Sequence, residues 1–276
     1  MDVEQMRTRV IPSSREPLPV VGCGTYMAFD RSPGSAEFAQ LPDVLKALFD
    51  AGGSMVDSSP MYGKAEAAVG QLMDETDTRE EAFVATKVWT TGRDAGIRQM
   101  EASQQLLRVD AIDLMQVHNL VDWKVHLATL RQWQQEERVR YIGITHYASS
   151  AYAEVEEVLR AETLDFLQIN YSVEEPESAQ RLLPLAAERG VAVLVNRPFG
   201  GGGLLRRLRA KPLPSWAAEI GCTSWPQVLL KFVLSHPAVT CVIPGSGSPE
   251  HMAQNAQAGC GAPVEPGFWR DKLKDW

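Results

Sequence analysis

Along the whole chain, short apolar runs rich in β-formers alternate with longer stretches whose apolar positions recur at helical spacing. The runs predict strands over 20–22, 54–57, 83–87, 112–117, 141–144, 166–169, 191–195 and 240–243. Helices are predicted over 42–51, 65–74, 95–108, 123–137, 152–160, 179–189, 225–234 and 249–256. Strands that alternate with helices pair in parallel through crossover connections. Eight such units in 276 residues fit an α/β fold of the closed (β/α)8 TIM barrel type, for which about 250 residues is typical. The competitor, a doubly wound open sheet, asks for a glycine-rich phosphate turn that opens a helix after an early strand. Gly22-Cys23-Gly24 has two glycines and no helix behind them, so the barrel is the expectation. No Pro/Gly/Ser-rich linker divides the chain, which predicts one domain over 1–276. Residues 9–19, with Pro12-Ser13-Ser14 at their middle, are expected to form an N-terminal β-hairpin closing the barrel bottom.

Composition narrows the function classes. With 45% hydrophobic and 22% charged residues the chain has the makeup of a soluble protein. The formal net charge of −8 and the absence of a long basic run argue against a nucleic-acid partner. The longest apolar stretches, such as Val191-Ala192-Val193-Leu194-Val195, are strand-sized, so no membrane span is expected. The charged start, MDVEQMRTRV, predicts no signal peptide. Cys23, Cys222, Cys241 and Cys260 form neither a close pair nor a metal-like spacing. They read as packing thiols in a reducing compartment, most simply the cytoplasm. A small-molecule substrate is the expectation, with no obligate protein partner.

In a barrel, function gathers at the C-terminal ends of the strands. The second predicted strand ends on Asp57 with Tyr62 in its loop, the third on Lys87 and the fourth on His118. A lysine inside Ala85-Thr86-Lys87-Val88-Trp89 needs a carboxylate partner if it is buried, and Asp57 on the adjacent strand supplies one. A cation beside a phenol favours the phenolate, so Lys87 is expected to pull Tyr62 down from about 10 toward the working range of a general acid. His118 is placed to hydrogen-bond a substrate oxygen beside the phenol. The set would protonate a carbonyl oxygen as negative charge develops on it. The plainer alternatives are a structural Asp57–Lys87 pair and a rim histidine. No metal-ligand set is visible, so the reducing equivalent points to a dinucleotide. Gly200-Gly201-Gly202-Gly203 can lie close along a diphosphate. Gly245-Ser246-Gly247-Ser248-Pro249-Glu250 reads as a serine-capped helix start, an anion site.

In these residues the chain resembles the aldo-keto reductase family over nearly its whole length. The matching pieces are VGCGT, VDSSPMYG, ATKVW, MQVHN, LQINYS and VIPGSGSPEHMAQN, in the family's order and spacing. The resemblance implies a (β/α)8 barrel that binds NADPH across the strand ends and reversibly reduces aldehydes and ketones. It implies Tyr62 as general acid/base, Lys87 as the residue lowering its pKa, Asp57 as the partner of Lys87, and His118 as the group orienting the carbonyl. Among cofactor positions it implies Gly24, Thr25, Gln168 at the nicotinamide carboxamide, Ser246, and Asn255 at the adenine. Pro198, Gly200 and Ser248 belong to the two cofactor loops. Tyr26, Trp89 and Asn119 fall at the substrate pocket.

The chain departs from the family at several of these places. Thr145-His146 stands where Ser-Asn is usual, and His146 is expected to hydrogen-bond the amide instead. Asn196 replaces the tyrosine that stacks on the nicotinamide, followed by Arg197, which is placed to reach a phosphate or the substrate. His251 replaces the arginine that commonly clasps the 2′-phosphate, and Gly245 stands where some members have lysine. NADP(H) is still favoured over NAD(H), on the family's habit. The 21 residues after Asn255 are fewer than many members carry, which predicts an open substrate pocket. A nicotinamide-binding sensor with little turnover is the second reading, and a Schiff-base aldolase using Lys87 the third.

Overall fold

The computed structural model describes residues 5–272. The first four residues of the charged start and the last four of the expected domain lie outside the described residues. Two short strands come first, β1 (Thr8–Val10) and β2 (Pro17–Pro19), paired antiparallel. There follow β3 (Cys23–Gly24), α1 (Leu41–Asp50), β4 (Met55–Asp57), α2 (Ala65–Glu75), β5 (Phe83–Val88), α3 (Arg93–Leu107) and β6 (Ile112–His118). The second half adds α4 (Trp123–Gln135), β7 (Val139–Thr145), α5 (Tyr152–Ala161), β8 (Phe166–Asn170), α6 (Ser178–Glu188) and β9 (Ala192–Asn196). It ends with α7 (Gly203–Leu208), α8 (Trp225–Ser235), β10 (Val239–Val242), α9 (Pro249–Gln257) and α10 (Trp269–Lys272).

Strands β3 to β10 lie side by side in chain order, every neighbouring pair parallel. The circle closes where Val21 bridges Val242 and Gly24 bridges Gly245, with the Gly22 N–H donating to Val242 O at 2.9 Å. Glycine is required at this seam: a Cβ on Gly24 would stand 2.9 Å from the Ile243 carbonyl oxygen. The expected (β/α)8 barrel is therefore the fold. The first strand sits slightly later than its apolar run suggested, because Val20–Gly22 serve as the lead-in that hydrogen-bonds to Val242. Helix α7 was not anticipated. Its six residues are too short for a periodic signal.

Inside the barrel, side chains point inward at every second position. On β5 these are Phe83, Ala85 and Lys87, while Val84, Thr86 and Val88 face the helices. The lower interior is apolar: Met55, Phe83, Leu114, Tyr141, Phe166 and Ala192 pack with Ile11 and Leu18. Ile11 and Leu18 flank the hairpin turn, so the hairpin closes the barrel bottom as expected. Arg9 holds it there, donating to the carbonyls of Leu234 at 2.8 Å, His236 at 2.9 Å and Val239. Above this apolar floor the interior turns polar, and there the site begins.

Candidate active site

Three strand ends and one loop build the floor of the mouth. Lys87 is fully buried, and its Nζ donates to Asp57 Oδ2 at 2.7 Å and to Ser58 O at 2.6 Å. The other carboxylate oxygen of Asp57 accepts from Gln168 Nε2 at 2.9 Å and Gln116 Nε2 at 3.2 Å. Each oxygen of this buried acid thus finds a donor, which is what makes the ion pair tolerable inside a barrel. The Lys87 Nζ lies 5.0 Å from the centre of the Tyr62 ring. Burial alone would lower the lysine, but Asp57 and Tyr62 together hold its pKa above the ordinary value, so it is a fixed cation.

Tyr62 corrects the sequence-based expectation. Burial pushes its phenol up, the charge and hydrogen bond of Lys87 pull it down, and Asp57 pushes it up again. Burial wins, and the net pKa lies above the ordinary value for tyrosine. Lys87 acts with the expected sign, but the low-dielectric setting that makes the ion pair strong also disfavours the phenolate. Tyr62 therefore rests as a protonated donor.

His118 is buried beside it, the two rings edge-on at 6.0 Å. Burial, then the charges of Lys87 and His146, lower its pKa to about 3, so the imidazole is neutral at ordinary pH. Its Nδ1 lies 3.1 Å from Ser59 Oγ, which also accepts the Met61 N–H at 3.3 Å. In the tautomer in which Ser59 Oγ donates to His118 Nδ1, the ring proton sits on Nε2. A neutral histidine is thereby set as a hydrogen-bond donor.

Asp57, Tyr62 and His118 line a cavity of about 1380 Å³ at the barrel mouth. Its wall includes sixteen of the residues singled out from sequence: Gly24, Thr25, Tyr26, Asp57, Tyr62 and Trp89; His118, Asn119, Thr145, Gln168 and Asn196; and Arg197, Pro198, Ser246, His251 and Asn255. Thr25 gives its hydroxyl proton to Asp57 O or Ser58 Oγ, both at 3.0 Å, and so props the β4 end. Gln168 Oε1 accepts from Thr145 Oγ1 at 3.3 Å and Asn196 Nδ2 at 3.4 Å. After β9 the backbone takes left-handed turns at Arg197 and at Gly200, Gly201 and Gly202, where only glycine is unstrained.

Four of the singled-out residues stand off the wall. Lys87 lies behind it, bonded to Asp57. His146 does not offer its ring to the cavity: Nδ1 accepts the N–H groups of Tyr147 at 3.0 Å and Ala148 at 3.1 Å, and the ring stacks on Tyr147. Its carbonyl oxygen instead accepts from Asn196 Nδ2. Gly200 faces Glu174. Ser248 is spent on its own helix, accepting from the His251 N–H at 3.3 Å and donating to Glu250 Oε2 at 2.6 Å. The start of α9 carries the serine cap that the sequence predicts, with the Glu250 carboxylate beside it.

Sequence reasoning missed Gln116, although its inward parity with Leu114 and His118 marks it. It also missed Met27, Met61 and Tyr147 on the rim, and Arg206, Arg209 and Gln254 elsewhere on the wall. Tyr26, Met27, Met61, Trp89 and Tyr147 are all exposed apolar side chains on this one rim.

Three comparisons bear on this architecture. The family model described as "Aldo/keto reductase family" matches residues 20–261. A curated relative, methylglyoxal reductase YeaE of Escherichia coli, is 29% identical over 247 residues, covering 87% of this chain and 84% of that protein. Among solved structures, an aldo/keto reductase from Klebsiella pneumoniae in complex with NADP and acetate superposes with a TM-score of 0.82. The identity is 24%, with 98% of this chain and 95% of that one covered. A holo aldo-keto reductase from Bacillus halodurans superposes with a TM-score of 0.79 at 22% identity, covering 98% of this chain and 96% of that one.

Proposed function

The chain belongs to the aldo/keto reductase family, and from that premise we propose that it reduces aldehyde or ketone carbonyls to alcohols with NADP(H), Tyr62 donating the proton. The observation that carries this is the convergence of a protonated phenol, a buried cation and a neutral imidazole donor on one floor of a long cavity.

When bound, a reduced nicotinamide supplies the hydride. This chain's own residues do the rest. His118 Nε2–H and the Tyr62 hydroxyl together hold the carbonyl oxygen and polarise it. As charge develops there, Tyr62 passes its proton to that oxygen, and the phenolate left behind is stabilised by Lys87, which Asp57 holds in place. In the reverse direction the same phenolate accepts the proton of an alcohol.

The cavity fits a dinucleotide in two respects. Asn119 Oδ1, Asn196 Oδ1 and Ser224 Oγ are buried polar atoms with no hydrogen-bond partner, and all three residues lie on the wall. Such atoms are costly unless a ligand satisfies them. The left-handed glycine turn beyond β9 brings bare backbone to the same wall at Gly201 and Gly202. The apolar rim suits carbonyl compounds with bulky apolar substituents, and methylglyoxal belongs in any test panel because the Escherichia coli relative is named for it.

One domain over 1–276, action on small molecules without an obligate protein partner, and cytoplasmic residence belong to the same proposal. All four cysteines are free and buried, which supports a reducing compartment. Among the described residues no helix is long and apolar enough to cross a membrane.

The test is NADPH consumption with a panel of aldehydes and ketones, for the wild type and Tyr62→Phe. Removing the proton donor should cut kcat about 10²–10⁴-fold while leaving NADPH binding intact. Tight cofactor binding with no turnover on any carbonyl would assign a sensor instead.

A further inference from the structure

Resting on the NADP(H) reading, we propose that Arg206 and Arg209 form the subsite for the cofactor's 2′-phosphate and so set the preference for NADP(H) over NAD(H). The motif after β10 has no arginine or lysine for that task, since His251 and Gly245 occupy those places. The charge comes instead from α7 and the residue that follows it.

Arg206 lies in the last turn of α7 and Arg209 is the residue that follows the helix, three positions on, so both face the same side. Both are exposed and both line the cavity. Among the described residues neither has an acidic partner. Arg207, between them, turns the other way: it pairs with Glu174 and is absent from the wall. Arg197, the third arginine on the wall, has Glu175 at 3.6 Å. Arg197 and Arg207 thus find acids, while Arg206 and Arg209 are left open to the cavity.

From the β9 side the wall takes in Asn196, the glycine turn, Arg206 and Arg209. The β10 wall runs from Ser246 and Gly247 to His251, Gln254 and Asn255 on α9. The two arginines thus share the cavity with His251 and Asn255, the positions that the family resemblance puts at the 2′-phosphate and the adenine. Ser224 Oγ, buried and unpartnered on this wall, adds a hydroxyl donor. Of the wall residues only Asp57 is acidic, and it is tied to Lys87, so the wall is cationic in a chain of net charge −8. A phosphate monoester dianion matches this donor set, and the ribose hydroxyl of NAD(H) does not.

The experiment measures dissociation constants by quenching of tryptophan fluorescence for NADPH, NADH, adenosine 2′-monophosphate and adenosine 5′-monophosphate. The proteins are the wild type, Arg206→Gln, Arg209→Gln and Arg207→Gln. The expected result is NADPH and adenosine 2′-monophosphate weakened about 10–100-fold by either of the first two changes. NADH and adenosine 5′-monophosphate should move less than about threefold, and Arg207→Gln should leave all four as in the wild type. Equal weakening of NADPH and NADH would place the arginines on the diphosphate and overturn the proposal. So would no weakening at all, or a wild-type preference for NADH. A wild type that binds neither dinucleotide would overturn the cofactor reading itself, and the subsite with it.

Discussion

At the scale of single residues, the site runs on protonation states fixed by burial. His118, held at about 3, takes no proton between pH 8 and 5, whereas in the unfolded chain it titrates near 6.5. Its folded pKa is depressed, so the unfolded state gains protons first and stability falls as pH drops from about 6.5 toward 3. Urea midpoints measured across that range should fall less steeply for His118→Asn than for the wild type. The same neutrality predicts that carbonyl reduction shows no limb near pH 6.5. Since Tyr62 keeps its proton above its ordinary value, reduction should hold its rate to about pH 9 while alcohol oxidation climbs with pH. The ion pair behind the phenol has a structural consequence as well. Lys87→Met leaves Asp57 buried with two amide donors and no cation, which should cost about 3–5 kcal/mol in urea unfolding. Adding Asp57→Asn should recover part of that loss, because the uncompensated charge is then gone.

At the scale of elements, what was legible depended on the kind of signal. Asp57, Lys87 and His118 could be read because each falls at the end of an apolar run, and strand parity then turns all three inward. Helix α7 could not, because six residues after a run of glycines leave no periodicity to find, and the two wall arginines were missed with it. The direction of His146 was equally hidden: it is set by two backbone N–H groups that its own loop presents, a local capture no pattern announces. The N-terminal hairpin was read correctly from Pro12-Ser13-Ser14, but the grip of Arg9 on three carbonyls at the end of α8 and the start of β10 was not. Charged donors to carbonyls are the stronger kind of hydrogen bond. Arg9→Ala should lower stability by about 2–4 kcal/mol in denaturant unfolding, with kcat/KM of the folded enzyme unchanged.

At the scale of the whole molecule, the barrel divides its interior into an apolar base and a polar top, and the hairpin decides which way that top communicates. Ile11 and Leu18 stop the base completely, and Lys87 has no surface of its own. Hydrogens on that ammonium accordingly leave through the mouth, past Tyr62. A ligand seated there is expected to slow the exchange of deuterium from bulk solvent onto the lysine nitrogen, which exchange rates of the free and ligand-bound protein check.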